Sequence, residues 1–174
     1  MSTDQIEATK SINDLMQLVS FKIGKEEFGV EILQVQEIIK MSELTIMPNV
    51  DSCVAGIINL RSKIVTVVDL RIILGLMQKD YDNNTRIIVV EINNTTIGFI
   101  VDEVNEVLRI PINLIEKPPS IVSSDINLEY ITGIGKLEDR MIILLTLENL
   151  LYENELERVC ELSDTQLEEV DPTI

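Results

Sequence analysis

The hydrophobic positions of this chain fall in short runs rather than at the spacing of long helices. From Leu15 onward, short aliphatic stretches alternate with clusters of Gly, Asn, Pro and charged residues, a pattern typical of many short β-strands. The runs are LVSFKI (18–23), FGVEI (28–32), VAGIINL (54–60), IVTVVDL (64–70), IIVVEI (87–92), TIGFIV (96–101), EYITGIGKL (129–137) and MIILLTL (141–147). No amphipathic helix of ordinary length is indicated before about residue 147. The pattern predicts a mainly β protein.

The order of these runs repeats once along the chain. Segment 18–39 aligns without gaps on segment 87–108, at an offset of 69 residues. Segment 54–74 aligns on segment 131–151, at an offset of 77 residues. The glycines coincide in both alignments: Gly29 with Gly98, and Gly56 with Gly133. Chance similarity between aliphatic strands is the alternative, but two ordered matches favour a duplication.

Each copy, about 18–80 and 85–151, is predicted to hold a hairpin, a connector, a second hairpin and a short helical turn. That is too few strands for a stable open sheet, and several strands are apolar on both faces. Closing each copy into a small barrel, and packing the two barrels together, buries both faces and leaves few free edges. The predicted fold is therefore two pseudo-symmetric, five-stranded, SH3-like β-barrels within residues 15–152.

The two ends of the chain differ from this pattern. Residues 1–14 contain few apolar positions and are predicted to be a flexible lead-in. After Leu147 apolar residues recur at helical spacing, which predicts a C-terminal helix. Residues 153–174 carry eight acidic side chains and one Arg. They are predicted to form an acidic, partly helical tail, either solvated or docking a partner.

Composition and charge exclude several classes of function. The chain has 14 Lys and Arg against 30 Asp and Glu, a formal net charge of −16, which disfavours nucleic acid and anionic membrane surfaces as partners. It has no histidine, which removes Ser-His and Cys-His nucleophile pairs and most zinc sites. Cys53 and Cys160 are predicted to be reduced thiols. With no signal peptide and no apolar run of about 20 residues, the protein is expected in the cytoplasm, without membrane insertion.

Motifs for catalysis or cofactor binding are missing from the sequence. GIGKL (133–137) lies inside a predicted strand, so its glycines are expected to relieve crowding rather than to bind phosphate. The neighbouring carboxylates are predicted to be solvated surface charges: Glu26 with Glu27, Asp102 with Glu103, and Glu138 with Asp139. The sequence thus predicts no enzyme and no cofactor.

The turn of the second hairpin differs between the copies. It reads NLRSK (59–63) in the first copy and KLEDR (136–140) in the second, so Glu138 replaces Arg61. A basic side chain at this turn is therefore not required by the fold. Arg61 is either a surface arginine paired with Glu37 or a contact for a carboxylate on a partner.

Four stretches of the sequence resemble the CheW family, the coupling proteins of bacterial chemotaxis. They are FKIGKEEFGVEILQVQEI (21–38), GIINLRSKIVTVVDLR (56–71), IGFIVDEVNEVL (97–108) and EYITGIGKLEDRMIILLTLENLL (129–151). The resemblance implies a fold of two small five-stranded barrels and a non-enzymatic adaptor, monomeric when isolated. It implies binding to the cytoplasmic tips of chemoreceptors (methyl-accepting chemotaxis proteins) and to the regulatory domain of the histidine kinase CheA, at membrane-associated receptor arrays.

The resemblance also implies site residues. The family's NLRG turn matches Asn59, Leu60 and Arg61, with the arginine at or beside the receptor groove. Its VQEI stretch matches Val35, Gln36, Glu37 and Ile38, where the glutamate orients the arginine and the aliphatic side chains contribute contacts.

The sequence departs from the family pattern at Ser62, which stands where the family has glycine. Either the turn type changes, or the serine accepts strain of roughly 1 kcal/mol. Two other functions stay open: a double barrel that senses a small molecule in a barrel mouth or groove, and an adaptor of a non-flagellar motility pathway.

Overall fold

The computed structural model describes residues 14–50, 52–118 and 130–148, and within these ranges two β-sheets dominate. The strands are β1 (Leu15–Ile23), β2 (Glu26–Glu31), β3 (Val35–Lys40), β4 (Val54–Leu60), β5 (Lys63–Asp69), β6 (Arg86–Ile92), β7 (Thr95–Val101), β8 (Glu103–Pro111), β9 (Ile115–Glu116), β10 (Ile131–Lys136) and β11 (Met141–Leu145). A short helix, α1 (Leu70–Ile73), and two 3-10 turns, Ile32–Gln34 and Ile112–Leu114, complete the elements. The predicted mainly β class is confirmed. Residues 1–13 of the predicted lead-in (1–14), the predicted C-terminal helix beyond residue 148, the predicted acidic tail and Cys160 lie outside the described residues.

Each sheet combines strands from both copies. The six-stranded sheet has the order β8-β1-β2-β11-β10-β9, and the five-stranded sheet has the order β3-β6-β7-β5-β4. The first hairpin of each copy therefore joins the later strands of the other copy. The predicted fold of two packed, pseudo-symmetric units is confirmed, but each unit takes strands from both copies rather than from one. Periodicity could not predict this exchange, because equivalent strands carry the same apolar pattern in both copies.

Strand register confirms the duplication. β2 pairs in parallel with β11, with Phe28 opposite Ile143, and β7 pairs in parallel with β5, with Ile97 opposite Thr66. The sequence offsets of 69 and 77 convert one pair into the other. Register shifts also recur at equivalent places in the β1–β8 and β3–β6 ladders. The two sheets are thus related by an internal pseudo-symmetry.

Both sheets curl so that their outer strands approach each other. β3 leads into Thr45, which bridges Ile57 on β4, and β8 leads into β9, which pairs with β10. A Cβ atom on Gly56 would lie 2.6 Å from the Thr45 carbonyl oxygen, and one on Gly133 would lie 2.7 Å from the Ile115 side chain. The paired glycines therefore permit the closing segments to approach, and the predicted role of Gly133 in relieving crowding is confirmed.

The exchanged hairpins have two buried faces. Along β6, Ile88 and Val90 belong to a large cluster formed by both copies, whereas Ile87 and Val89 belong to a smaller cluster of the five-stranded sheet. A third cluster, around Leu18, fills the curled six-stranded sheet. One shared core and two smaller interiors explain why these strands are apolar on both faces.

An ion pair beside α1 connects the two sheets. Arg71 on α1 donates from Nε to Asp102 Oδ1 at 2.8 Å and from Nη2 to Asp102 Oδ2 at 2.5 Å, and both side chains are only 15% exposed. The Gly24 amide in the β1–β2 turn also donates to Asp102, at 2.8 Å. The prediction that Asp102 is solvated is wrong, because the fold brings Arg71 to it from the neighbouring copy. Glu27 likewise accepts from Ser20 and pairs with Arg140.

Burial and hydrogen bonding act in opposite directions on the two aspartates at this junction. Burial alone would raise the pKa of Asp102, but the hydrogen bonds from Arg71 and Gly24 outweigh it and lower that pKa. Asp69, which caps α1 by accepting from the Arg71 amide, has its pKa raised, chiefly by burial. Asp102 therefore stabilises the folded state where it is ionised, whereas ionisation of Asp69 costs stability.

Replacing Asp102 by Asn tests the ion pair. At neutral pH we expect the free energy of unfolding to fall by about 2–3 kcal/mol, because Arg71 would stay largely buried without a charged partner. A carboxylate with a lowered folded pKa contributes stability above its unfolded pKa of about 3.9, and this is lost as the pH falls through the folded pKa. The difference between the two proteins should therefore stay constant from about pH 7 to about pH 5 and shrink as the pH falls below about 4, as measured by urea denaturation.

Glu116→Gln is the matched control, because Glu116 pairs with Lys136 at 3.0 Å where both side chains are mostly exposed. This change should cost less than about 0.5 kcal/mol. An Asp102→Asn protein as stable as the Glu116→Gln protein at neutral pH would show that the Arg71 pair does not hold the sheets.

Candidate partner-binding surface

The hairpin turn between β4 and β5 holds Arg61 in an unusual backbone conformation. Arg61 has a φ of +51° and Ser62 a φ of +67°, and these two residues connect Leu60 to Lys63. Two central residues with positive φ define a type I′ turn, which matches the twist of the flanking strands. The tight turn is thus kept although serine replaces the family's glycine, at a strain of roughly 1 kcal/mol.

The Arg61 side chain is both paired and accessible. Its Nη2 donates to Glu37 Oε2 on β3 at 3.1 Å, while 80% of the arginine side chain and 25% of the glutamate side chain remain exposed. An ion pair this exposed contributes little to stability. A guanidinium has five N–H donors, so the contact with Glu37 orients it without using its capacity to bind a carboxylate. The pairing with Glu37 that the sequence offered as one alternative is observed, and the contact with a partner's carboxylate stays a prediction.

The second copy places an arginine differently. Arg140 donates to Glu106 at 2.8 Å and lies 3.6 Å from Glu27, and its side chain is 35% exposed. Arg140 aligns with Lys63 rather than with Arg61, whereas Glu106 aligns with Glu37. An ion pair between the hairpin turn and the outer strand is therefore common to both copies. Its arginine is widely exposed only in the first copy, as Arg61.

The other predicted site residues divide between surface and core. Asn59 on β4 and Ile38 on β3 are exposed. Leu60 is half-buried against the interior of the five-stranded sheet, and Val35 is half-buried against the shared core. The structure brings Arg61 and Glu37 together, leaves Ile38 exposed beside Glu37 along the strand, and gives Val35 and Leu60 a packing role.

Sequence reasoning missed the most exposed apolar side chain of the candidate region. Leu33, in the 3-10 turn that precedes β3, is 89% exposed. It aligns with Asp102 of the second copy, so an apolar residue stands where the equivalent residue is charged. The difference in residue type between these two aligned positions is the sequence signal that could have identified Leu33. Val107, the equivalent of Ile38 on β8, is also exposed.

The polar groups at the junction serve the fold. Asp69 accepts from the Arg71 amide at 3.0 Å and from the Tyr81 hydroxyl at 3.1 Å, and burial together with Asp69 raises the pKa of Tyr81. In the part of the chain that the structure describes, no three acidic or cysteine side chains are placed to hold a metal ion. Among those same residues, no helix is long and apolar enough to span a membrane.

Comparison with known proteins places the chain in a family. Residues 17–155 match the CheW-like domain. The chain is 36% identical over 140 residues to a chemotaxis protein CheW of Klebsiella aerogenes, covering 80% of this chain and 84% of that protein. It is 35% identical over 138 residues to a chemotaxis protein CheW of Helicobacter pylori, covering 79% and 82%.

A solved structure agrees with the fold. The crystal structure of the scaffolding protein TtCheW from Thermoanaerobacter tengcongensis has a TM-score of 0.72 and 37% sequence identity to this chain, and covers 80% of this chain and 94% of that one. The exchanged double sheet and the family match therefore lead to one conclusion: the chain belongs to the CheW-like domain family and is a chemotaxis scaffold of that non-catalytic family.

Proposed function

We propose that this protein couples the cytoplasmic tips of chemoreceptors to the histidine kinase CheA, through its regulatory domain. The observation that carries the proposal is Arg61, an exposed guanidinium oriented by Glu37 at the turn that matches the family's receptor-binding motif. Such an adaptor acts in the cytoplasm, recruited to receptor arrays at the membrane. Whether the array governs flagellar or other motility depends on the receptors and kinase encoded beside it.

Charge supports a receptor contact at Arg61. The chain carries a net charge of −16, so an accessible cation stands against the prevailing field and favours an acidic group on a partner. Arginine can bind a carboxylate with two parallel hydrogen bonds, which fixes orientation as well as adding affinity.

Rigidity supports a role in presenting two partners at a fixed geometry. Both sheets are packed on one shared core, and the Arg71–Asp102 pair ties the β1–β2 turn to α1. Separate surfaces on the two sheets are thus held at a constant distance and angle. Ile38 and Val107 occupy equivalent outer strands, so the molecule carries two similar but chemically different faces.

Arg61→Glu is expected to weaken binding to a receptor cytoplasmic fragment at least about tenfold, because it places two carboxylates at the turn and removes the donor. The melting temperature should change by no more than about two degrees, since the pair with Glu37 is exposed. Isothermal titration calorimetry with receptor and kinase fragments from the same organism measures the affinity, and calorimetric unfolding measures the stability.

Lys136→Glu is the matched charge reversal. Lys136 lies in the second copy, aligns with Asn59 of the first copy, and is exposed as Arg61 is. It should leave receptor affinity within about twofold of the wild type. Equal loss in both variants would assign the effect to net charge rather than to Arg61. A wild-type chain that binds neither fragment at tens of micromolar would refute the adaptor function for those partners.

Ser62→Gly is expected to raise the free energy of unfolding by about 0.5–1 kcal/mol, because glycine adopts the observed positive φ without steric cost. Ser62→Ala should give no such gain, since alanine carries a Cβ atom. Receptor affinity should not change in either variant, because the backbone of the turn and the Arg61 side chain are kept. Loss of binding in Ser62→Gly would show that the serine hydroxyl itself contacts the partner.

A further inference from the structure

An open cleft of about 350 Å³ lies at the junction where the turn before β3 meets the β6–β7 hairpin. Its polar and exposed lining residues are Leu33, Gln34, Gln36, Glu91, Asn93 and Glu148. Leu33, Gln34 and Gln36 precede Glu37 in the same stretch of chain, whereas Glu91, Asn93 and Glu148 have no part in the Arg61 surface described above. We refer to this feature as the twin cleft, because the internal pseudo-symmetry relates it to another site in the same molecule.

The related site is the junction that Arg71 occupies. In the alignment of the two copies, Glu148 corresponds to Arg71, Leu33 to Asp102, and Asn93 to Gly24. In the first copy, Arg71 crosses this junction to form its two hydrogen bonds with Asp102. At the twin cleft the equivalent positions carry a glutamate and an exposed leucine instead. The fold therefore provides space for a guanidinium at two places, and this chain fills one of them with its own arginine.

The twin cleft presents hydrogen-bond acceptors. Glu91 accepts from the Gln36 side-chain amide at 2.5 Å, and Glu148 also lines the cleft. The Oε1 atom of Gln34 is buried and has no hydrogen-bond partner, which leaves an acceptor unsatisfied. Two carboxylates and an unpaired amide oxygen favour a cationic group with several N–H donors.

We propose that the twin cleft binds an arginine side chain of a protein partner, in the place that Arg71 fills in the other copy. Leu33, which is 89% exposed at the rim, would pack against the aliphatic part of that side chain. An arginine fits better than a lysine because its planar fork offers five donors to several acceptors at once. The proposal rests on the adaptor function in taking the partner to be a receptor or kinase fragment, but the arginine site can be tested without either.

The direct test uses the full chain and a small probe. We expect N-acetylarginine amide to shift the backbone amide NMR signals of Gln34, Asn93 and Glu148. N-acetylcitrulline amide, which keeps the shape and lacks the charge, should leave them unchanged. Glu91→Gln/Glu148→Gln should abolish the response to arginine. Equal responses to the two probes, or no response to N-acetylarginine amide, would overturn the proposal. This outcome does not depend on whether the adaptor function is confirmed.

A second test fills the twin cleft with an arginine introduced into this chain. Leu33→Asp/Glu148→Arg rebuilds the Arg71–Asp102 pair at the twin cleft, with each single substitution as a control. The double variant should melt at a higher temperature than either single variant, and it should bind a receptor or kinase fragment at least about tenfold more weakly than the wild type. A double variant that is more stable than the single ones but binds both fragments like the wild type would overturn the partner assignment.

The chain's own Arg158 is the competing occupant, and Arg158→Gln distinguishes it. If a partner supplies the arginine, the wild type and Arg158→Gln should respond equally to N-acetylarginine amide. If only the Arg158→Gln protein responds, the cleft is closed by this chain and the proposal is overturned.

Discussion

The fold depends on burying both faces of four strands. Strands β1, β6 and β7 place side chains both in a core shared by the two copies and in the interior of one curled sheet. Strand β2 places Phe28 and Val30 in the shared core, and its Gly29 faces the interior of the six-stranded sheet. A hairpin that is apolar on both faces cannot lie on the surface of its own copy, because one face would meet water at a cost of about 25 cal/mol per Å². Exchange of the hairpins covers both faces, and it makes the two copies inseparable. The rigidity that a scaffold requires is therefore a consequence of the apolar pattern itself.

Duplication also explains where the chemistry of this protein lies. Positions that keep the same residue in both copies serve the fold, as Gly56 and Gly133 do where the closing segments approach. Positions that differ are free to act on partners. Arg61 faces solvent where its equivalent is Glu138, and Leu33 is exposed where its equivalent, Asp102, is held in an ion pair. Comparison within the chain thus identifies exposed side chains, such as Arg61 and Leu33, that the fold does not require at those positions.

Much of this architecture could be predicted from the sequence, since the strands, the duplication and its two offsets follow from aliphatic periodicity and coincident glycines. Three features could not. Exchange of the hairpins is invisible to periodicity, because equivalent strands present identical patterns. Burial of Asp102 depends on Arg71, which is 31 residues away and in the other copy. The positive φ of Ser62 shows that the twist of the flanking strands outweighs the preference of one residue, a balance that local sequence does not reveal.

The two junctions differ in charge and in hydrogen-bonding groups, so the two halves of the pseudo-symmetric molecule are not equivalent. At one junction Arg71 satisfies Asp102 from within, so that site is closed and its charges cancel. At the other, Glu91, Glu148 and the unpaired Gln34 oxygen leave a surplus of acceptors, while Arg61 offers donors at a hairpin turn of the five-stranded sheet. A pseudo-symmetric molecule with identical faces could dock in two orientations of nearly equal energy. In the proposed complex, one face donates hydrogen bonds and another accepts them, so a reversed molecule would place like groups opposite each other, and charge rather than shape would select one orientation.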